Sequence, residues 1–324
     1  MILNLKSKLV CLFAIVLFQA GILYSAQAQI TDIQSLPKSL LIQDTESLAK
    51  QNTSTNELIK FIKSYNKYPK LEKYRGQHIF FIRDSIFGDI PFKLFLPQNY
   101  NPSKPSTLIL SLHGAVGMSK FENAANSSDQ IDKDDDPFYS SLCKQNFIVI
   151  KPFADPAKGF NWAANKFGSD VNYTFNALSH LIKVIKQVVN VDDNKVFVYG
   201  HSDGSDGAFG FSVYQPSMFA GFVLYNSMFN ILFTNNIFLK NVINRPLYEA
   251  HSDKDDLRPV EQNRVIINLL DSLGTNITYK EYKGYTHEDK HLQTDFTNSL
   301  KFIDSTTRNP YRHNIYWETN GCFK

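Results

Sequence analysis

From residue 78 onward, apolar and polar positions fall into short blocks that alternate along the chain. Residues 78–83 and 91–96 are rich in aromatic and β-branched side chains and flank Gly88-Asp89, which predicts an antiparallel strand pair joined through a turn at those two residues. Further apolar runs at 107–112, 147–151, 195–199, 221–225, 246–250 and 276–282 predict strands. Between them lie stretches with helical apolar spacing, notably 171–189 and 260–273, and a helix is expected behind Ala208-Phe209-Gly210-Phe211. Apolar strands separated by amphipathic helices imply a parallel sheet covered on both faces. The expected class is α/β, a mostly parallel doubly wound sheet with an antiparallel strand pair at its N-terminal side.

The ends of the chain break this rhythm. Lys6 and Lys8 precede an apolar run from 9 to 23, and Ala26-Gln27-Ala28 follows, so residues 1–28 read as a secretory signal peptide and the protein as secreted or periplasmic. The alternative, a transmembrane helix, is disfavoured by the shortness of the run and by Gln19 within it. Cys11 comes too early for a lipid-attachment site, so no membrane anchoring is expected after cleavage. Residues 29–75 are polar, with helical spacing only around Leu58, Ile59 and Ile62, and read as an N-terminal extension packed on the outside. Residues 76–306 form the main domain, and 307–324 a tail with Tyr311, Tyr316 and Trp317 that reads as a closing β-like segment.

Composition narrows the function. The net charge is +3, two of those charges belong to Lys6 and Lys8, and no basic stripe suits a phosphate backbone, so nucleic acid is not an expected partner. Cys143 and Cys322 remain after the leader, and an oxidising compartment would permit them to pair. The loop 114–139 is long, and in this architecture it lies beyond the carboxyl ends of the strands, where ligands bind. Its acidic run 132–136 lacks the glycine and terminal glutamate of a calcium-binding EF-hand loop and reads as a solvated loop.

The candidate chemistry begins at Gly200-His201-Ser202-Asp203-Gly204, which fits G-x-S-x-G directly after the strand 195–199. The bland reading is a Gly-rich strand-to-helix turn. The sharper one makes Ser202 a nucleophile, which then needs a base, an acid and oxyanion donors. The loop after strand 246–250 carries Asp253, Asp255 and Asp256, and the loop after 276–282 carries His287. His251, His291, His113 and His201 compete with His287 but read as strand-end, solvent-facing, loop-bracing and packing residues. The order Ser, Asp, His matches α/β-hydrolases rather than chymotrypsin-like or subtilisin-like enzymes. With no H-E-x-x-H, no paired cysteines and no G-x-G-x-x-G after an early strand, neither metal nor cofactor is expected.

Residues 77–304 resemble the α/β-hydrolases, and are most similar to secreted esterases of the polyhydroxybutyrate-depolymerase and feruloyl-esterase type and to the catalytic domain of prolyl oligopeptidases. The resemblance rests on Pro91-Phe92-Lys93-Leu94-Phe95-Leu96-Pro97, on Leu110-Ser111-Leu112-His113-Gly114-Ala115 and on the serine elbow. It implies an oxyanion hole from the backbone N–H of Ala115 or Val116 together with that of Asp203. In the acid loop the resembled pattern, H-G-x-x-D-x-x-V-P, maps its aspartate onto Asp255, four residues before Pro259, with Ser252 in place of glycine and Arg258 in place of valine. A second departure is Ser205-Asp206, where another glycine is common. Phe160, Trp162 and Phe167 could form an aromatic wall beside Ser202, Trp162 foremost, with ordinary packing as the alternative. The function implied is hydrolysis of a small or polymer-linked ester; a serine peptidase of prolyl-oligopeptidase kind and a binding protein with an idle triad are the alternatives.

Overall fold

The computed structural model describes residues 31–38, 54–56, 59, 67–115, 137–162, 173–229, 238–288 and 291–318. Contacts divide the chain into a unit Met1–Thr31, of which only Thr31 is described, and a unit Asp32–Lys324. The leader, Cys322, Val116, Phe167 and the acidic run 132–136 lie outside the described residues.

The strands are β1 (Thr31–Asp32), β2 (Gly76–Asp84), β3 (Gly88–Leu96), β4 (Ser106–Leu112), β5 (Ile148–Pro152), β6 (Val191–His201), β7 (Gly221–Tyr225), β8 (Leu247–Ser252) and β9 (Ile277–Tyr282). The α-helices are α1 (Pro137–Leu142), α2 (Tyr173–Val188), α3 (Asp203–Tyr214), α4 (Val260–Ser272) and α5 (His291–Ser305). All strands join one sheet in the order β1-β2-β3-β5-β4-β6-β7-β8-β9. β2 and β3 are antiparallel, β3 is antiparallel to β5, and from β5 to β9 every neighbouring pair is parallel. Among the described residues no helix is long and apolar enough to cross a membrane.

Both faces of the sheet are covered, and the sequence shows why. Along β4, Leu108, Leu110 and Leu112 point into one apolar cluster with α2 and α3, while Ile109 points into the other. Along β6, Val196 and Val198 join the first cluster and Phe197 and Tyr199 the second, where Phe138 of α1 and Ile303 of α5 meet them. Period-two alternation of apolar residues on both faces is what a strand between two helical layers requires.

Three expectations are corrected. The β2–β3 turn falls at 85–87, because Asp84 Oδ1 accepts from the N–H groups of Ile86 (2.8 Å) and Phe87 (3.0 Å) and closes the reversal early. Gly88 then opens β3 at φ +72°, a left-handed value that glycine adopts freely. The extension is not wholly external: Ile33, Leu36 and Leu71 are buried in the main core. The described tail forms no strand; its backbone is gripped by side chains, with Asn244 bonded to both N–H and C=O of Tyr316 and Asn241 to both groups of Glu318.

Candidate active site

β6 ends at His201 and α3 starts at Asp203, leaving Ser202 at the corner with φ 56° and ψ −125°. A non-glycine residue rarely holds that conformation, and the surrounding bonds enforce it. Ser202 N–H donates to the Tyr225 carbonyl (3.0 Å), and Ser202 C=O accepts from the N–H groups of Ser205 (2.9 Å) and Asp206 (3.2 Å) and from Ser205 Oγ (2.6 Å). The flanking glycines are there for space. A Cβ on Gly204 would strike the Leu112 carbonyl, and one on Gly200 would strike the carbonyl of Gly204. The helix start can therefore press against the end of β4, where a methyl on Gly114 would lie 3.6 Å from Ser202 Cβ.

The parallel strands deliver the other groups to the same edge. His287, in the loop after β9, lies with Nδ1 2.6 Å from Asp255 Oδ2 and Nε2 2.9 Å from Ser202 Oγ. With Nδ1–H donating to the carboxylate, Nε2 is left to accept from the serine hydroxyl. Ser202, Asp255 and His287 are all buried. Burial pushes the Asp255 carboxyl up, but the hydrogen bond from His287 and its charge, with the Arg258 N–H, outweigh this and hold it below the usual range. The other two carboxylates of the loop face elsewhere: Asp253 Oδ1 accepts from Gly284 N–H (2.6 Å), and Asp256 is exposed.

Asp203 is the first residue of α3, so its N–H is among the helix-start donors that lack an intrahelical partner. Ala115 is exposed at the end of the turn that follows β4. That turn is braced by His113, whose Nδ1–H donates to the Gly114 carbonyl (2.7 Å) and whose Nε2 accepts from Ala154 N–H (3.1 Å). Trp162 departs from its expected place on an open wall. It is fully buried, its Nε1–H donates to the His113 carbonyl (3.1 Å), and its ring meets His113 edge-on, so it supports the turn from behind. Phe160 is buried beside it. His251 sits within β8, fully buried, with Nδ1 3.0 Å from Glu249 Oε1 and Nε2 2.9 Å from the Arg258 carbonyl.

Two residues at the site carried no expectation of such a role. Asn226, at φ 51° just past β7, donates from Nδ2 to the His287 carbonyl (2.9 Å) and accepts at Oδ1 from Ser252 N–H (2.9 Å), joining the histidine loop to β8. Its only trace in sequence is an asparagine at a strand's carboxyl end, a residue that tolerates the left-handed region. Arg258 is buried and donates to Asp206 and Asp203. The His201 ring lies against that of His287 at 4.9 Å, tilted by 37°, and bonds its carbonyl through Nε2 (3.3 Å); burial first, then the charge of His287, pulls its pKa down to about 3, so its ring is neutral.

Among the described residues, His201, His287 and Glu288 could bring one metal-ligand atom each within 4.8 Å of one another. An ion there would compete for His287 Nε2, the atom that Ser202 meets. No family model and no curated protein matches the chain. Solved structures do match. The chain is similar to a thermostable esterase (20% identity, 72% of this chain and 63% of that one, TM-score 0.56), and so spans less than two thirds of that protein. It is similar to an S-formylglutathione hydrolase from Agrobacterium tumefaciens (14% identity, 70% of this chain and 94% of that one, TM-score 0.51). It is also similar to FphF, a fluorophosphonate-binding serine hydrolase from Staphylococcus aureus (15% identity, 70% and 98%, TM-score 0.51). Sheet order and these likenesses together give the α/β-hydrolase fold.

Proposed function

We propose that the protein is a serine hydrolase that cleaves carboxylic esters through an acyl-enzyme on Ser202. The observation that carries this reading is the unbroken hydrogen-bond chain from Asp255 through His287 to a serine held in a strained strand-to-helix corner. Ser202 Oγ attacks the acyl carbonyl while its proton passes to His287 Nε2, and the carbonyl oxygen becomes an oxyanion facing the N–H groups of Asp203 and Ala115. Collapse expels the alkoxide, which takes the proton back from His287. Water then repeats the sequence on the acyl-enzyme and releases the acid. Asp255, held ionised, balances the imidazolium that forms in each half.

The fold is shared with a solved esterase and with a solved dipeptidyl aminopeptidase alike, so ester and amide substrates are separated by assay. A fluorophosphonate probe should label the wild-type chain covalently and leave Ser202→Ala unlabelled, with ester turnover down by roughly four orders of magnitude in the folded variant. Near-normal turnover in folded Ser202→Ala would overturn the reading. Parallel assays on ester and peptide substrates rank esterase against peptidase.

A further inference from the structure

Two of the places where this chain departs from the resembled pattern touch each other. Arg258 stands where valine is usual, and Asp206 belongs to the Ser205-Asp206 pair that stands where another glycine is common. Arg258 Nη1 lies 2.8 and 2.6 Å from the two Asp206 oxygens, and Nη2 lies 2.6 Å from Asp203 Oδ1. Arg258 is 5% exposed and Asp206 1%. Burying such a pair is expensive, and apolar side chains of similar volume would fill the space without charge. Burial outweighs the guanidinium's pull and raises the Asp206 carboxyl to about 6, so the pair is poor material for stability alone.

Its placement indicates a different use. The backbone of Arg258 belongs to the acid loop: its N–H donates to Asp255 Oδ1 (2.8 Å) and its C=O accepts from His251 Nε2 (2.9 Å). Its side chain belongs to the nucleophile corner, because Asp203 and Asp206 lie in the first turn of α3. Asp206 Oδ1 also accepts from Met228 N–H (2.8 Å), which brings in the segment after β7. One residue therefore spans the carboxylate that orients His287 and the helix start whose N–H faces the oxyanion. A guanidinium fork fixes direction as well as distance, which an ammonium or an apolar side chain cannot do.

We propose that Arg258 is a positioning residue that sets the separation between the acid loop and the nucleophile corner, acting through Asp255 on one side and Asp203 on the other. The proposal rests on the Ser202–His287–Asp255 reading. Arg258→Met should lower kcat per fluorophosphonate-titrated site, and the labelling rate, by ~10²-fold, since misplacement of about 1 Å suffices for that. KM should stay within about threefold. Arg258→Lys, which keeps charge without the fork, should recover little. In the double variant Arg258→Met, Asp206→Asn no charge is stranded on Asp206, so thermal stability should return while turnover does not. Arg264→Met, which breaks the pair between Arg264 on α4 and Glu281 on β9, should change neither.

A folded Arg258→Met protein with kcat per titrated site within about threefold of wild type would overturn the proposal. Full recovery of turnover in the double variant would also overturn it, because neutrality alone would then suffice. Absence of wild-type labelling would instead strike the hydrolase reading. The melting-temperature cycle reads the Arg258–Asp206 tie without any chemistry, and additive single effects would show the tie to be absent.

Discussion

Three aspartates lie within four positions of the acid loop, and the structure turns them to different tasks. Asp255 accepts from His287 on one oxygen and from the Leu257 and Arg258 N–H groups on the other, whereas Asp253 receives Gly284 and Asp256 faces solvent. Asp255→Asn keeps the shape but loses the counter-charge and disturbs the histidine tautomer, so turnover is expected to fall by roughly 10³- to 10⁴-fold. The same change at Asp253 or Asp256 is expected to stay within about tenfold. Kinetics of the three variants decide the matter, and a severe loss at either neighbour with a mild one at Asp255 would reassign the acid. The members of this chain of bonds were legible because each sits at the carboxyl end of a recognisable strand, and Pro259 gave a register mark. Asn226 and Arg258 were not legible, since their roles depend on which loops the topology sets side by side. Trp162 misled for a related reason: an aromatic in a site-edge loop has the same sequence signature whether it faces a substrate or plugs the back of a turn.

At the level of elements, strands were easier to read than their connections. Apolar runs with turn signals located the parallel strands, but β6 runs from Val191 to His201, well beyond the run 195–199, because Val191 still pairs with Ser106 of β4 and a register shift takes up the polar residues between it and Val196. The tail shows the opposite error. Tyr311, Tyr316 and Trp317 suggested a strand, yet Tyr311 is 87% exposed and the segment is fastened by amide side chains rather than by a neighbouring strand. An asparagine amide offers the same donor and acceptor pair as a peptide group and so can hold an extended chain without a sheet. Asn244→Ala should leave both backbone groups of Tyr316 without these partners and loosen the tail between Arg312 and the Asn241 grip on Glu318. Two lost bonds at about 1 kcal/mol each should raise local opening by roughly tenfold or more. The check is tryptic cleavage after Arg312 followed by mass: it should accelerate accordingly while ester turnover stays within about twofold, and unchanged cleavage would show that the amide grip is not what holds the tail.

Across the whole molecule, buried titrating groups pull the stability in opposing directions with pH. His201, lowered from 6.5 to about 3, stays neutral in the fold while the unfolded chain takes up a proton, so its contribution falls as pH drops from 6.5 towards 3. Asp206, raised from 3.8 to about 6, does the reverse: the fold holds the proton longer than the unfolded chain, and stability is lost as pH rises from 3.8 to about 6. Asp255, lowered, gives stability that is present above 3.8 and lost as pH falls through its folded value. Against its own burial, the Glu249 hydrogen bond and charge raise His251 above 6.5, so its contribution is complete below 6.5 and lost as pH climbs through the folded value. Between pH 4 and 6 His201 and Asp206 change the proton balance by similar amounts and with opposite sign, so in the wild type their slopes largely cancel. Two substitutions separate the opposing groups. His201→Gln should make the fall in melting temperature from pH 7 to pH 4 shallower, because the proton uptake that favours the unfolded chain is gone. Asp206→Asn should make it steeper, because a group that favours the fold in acid has been removed. Melts at pH 4, 5, 6 and 7 read both, and a shift of the same sign in the two variants would mean that the burial of one of these groups does not control its proton.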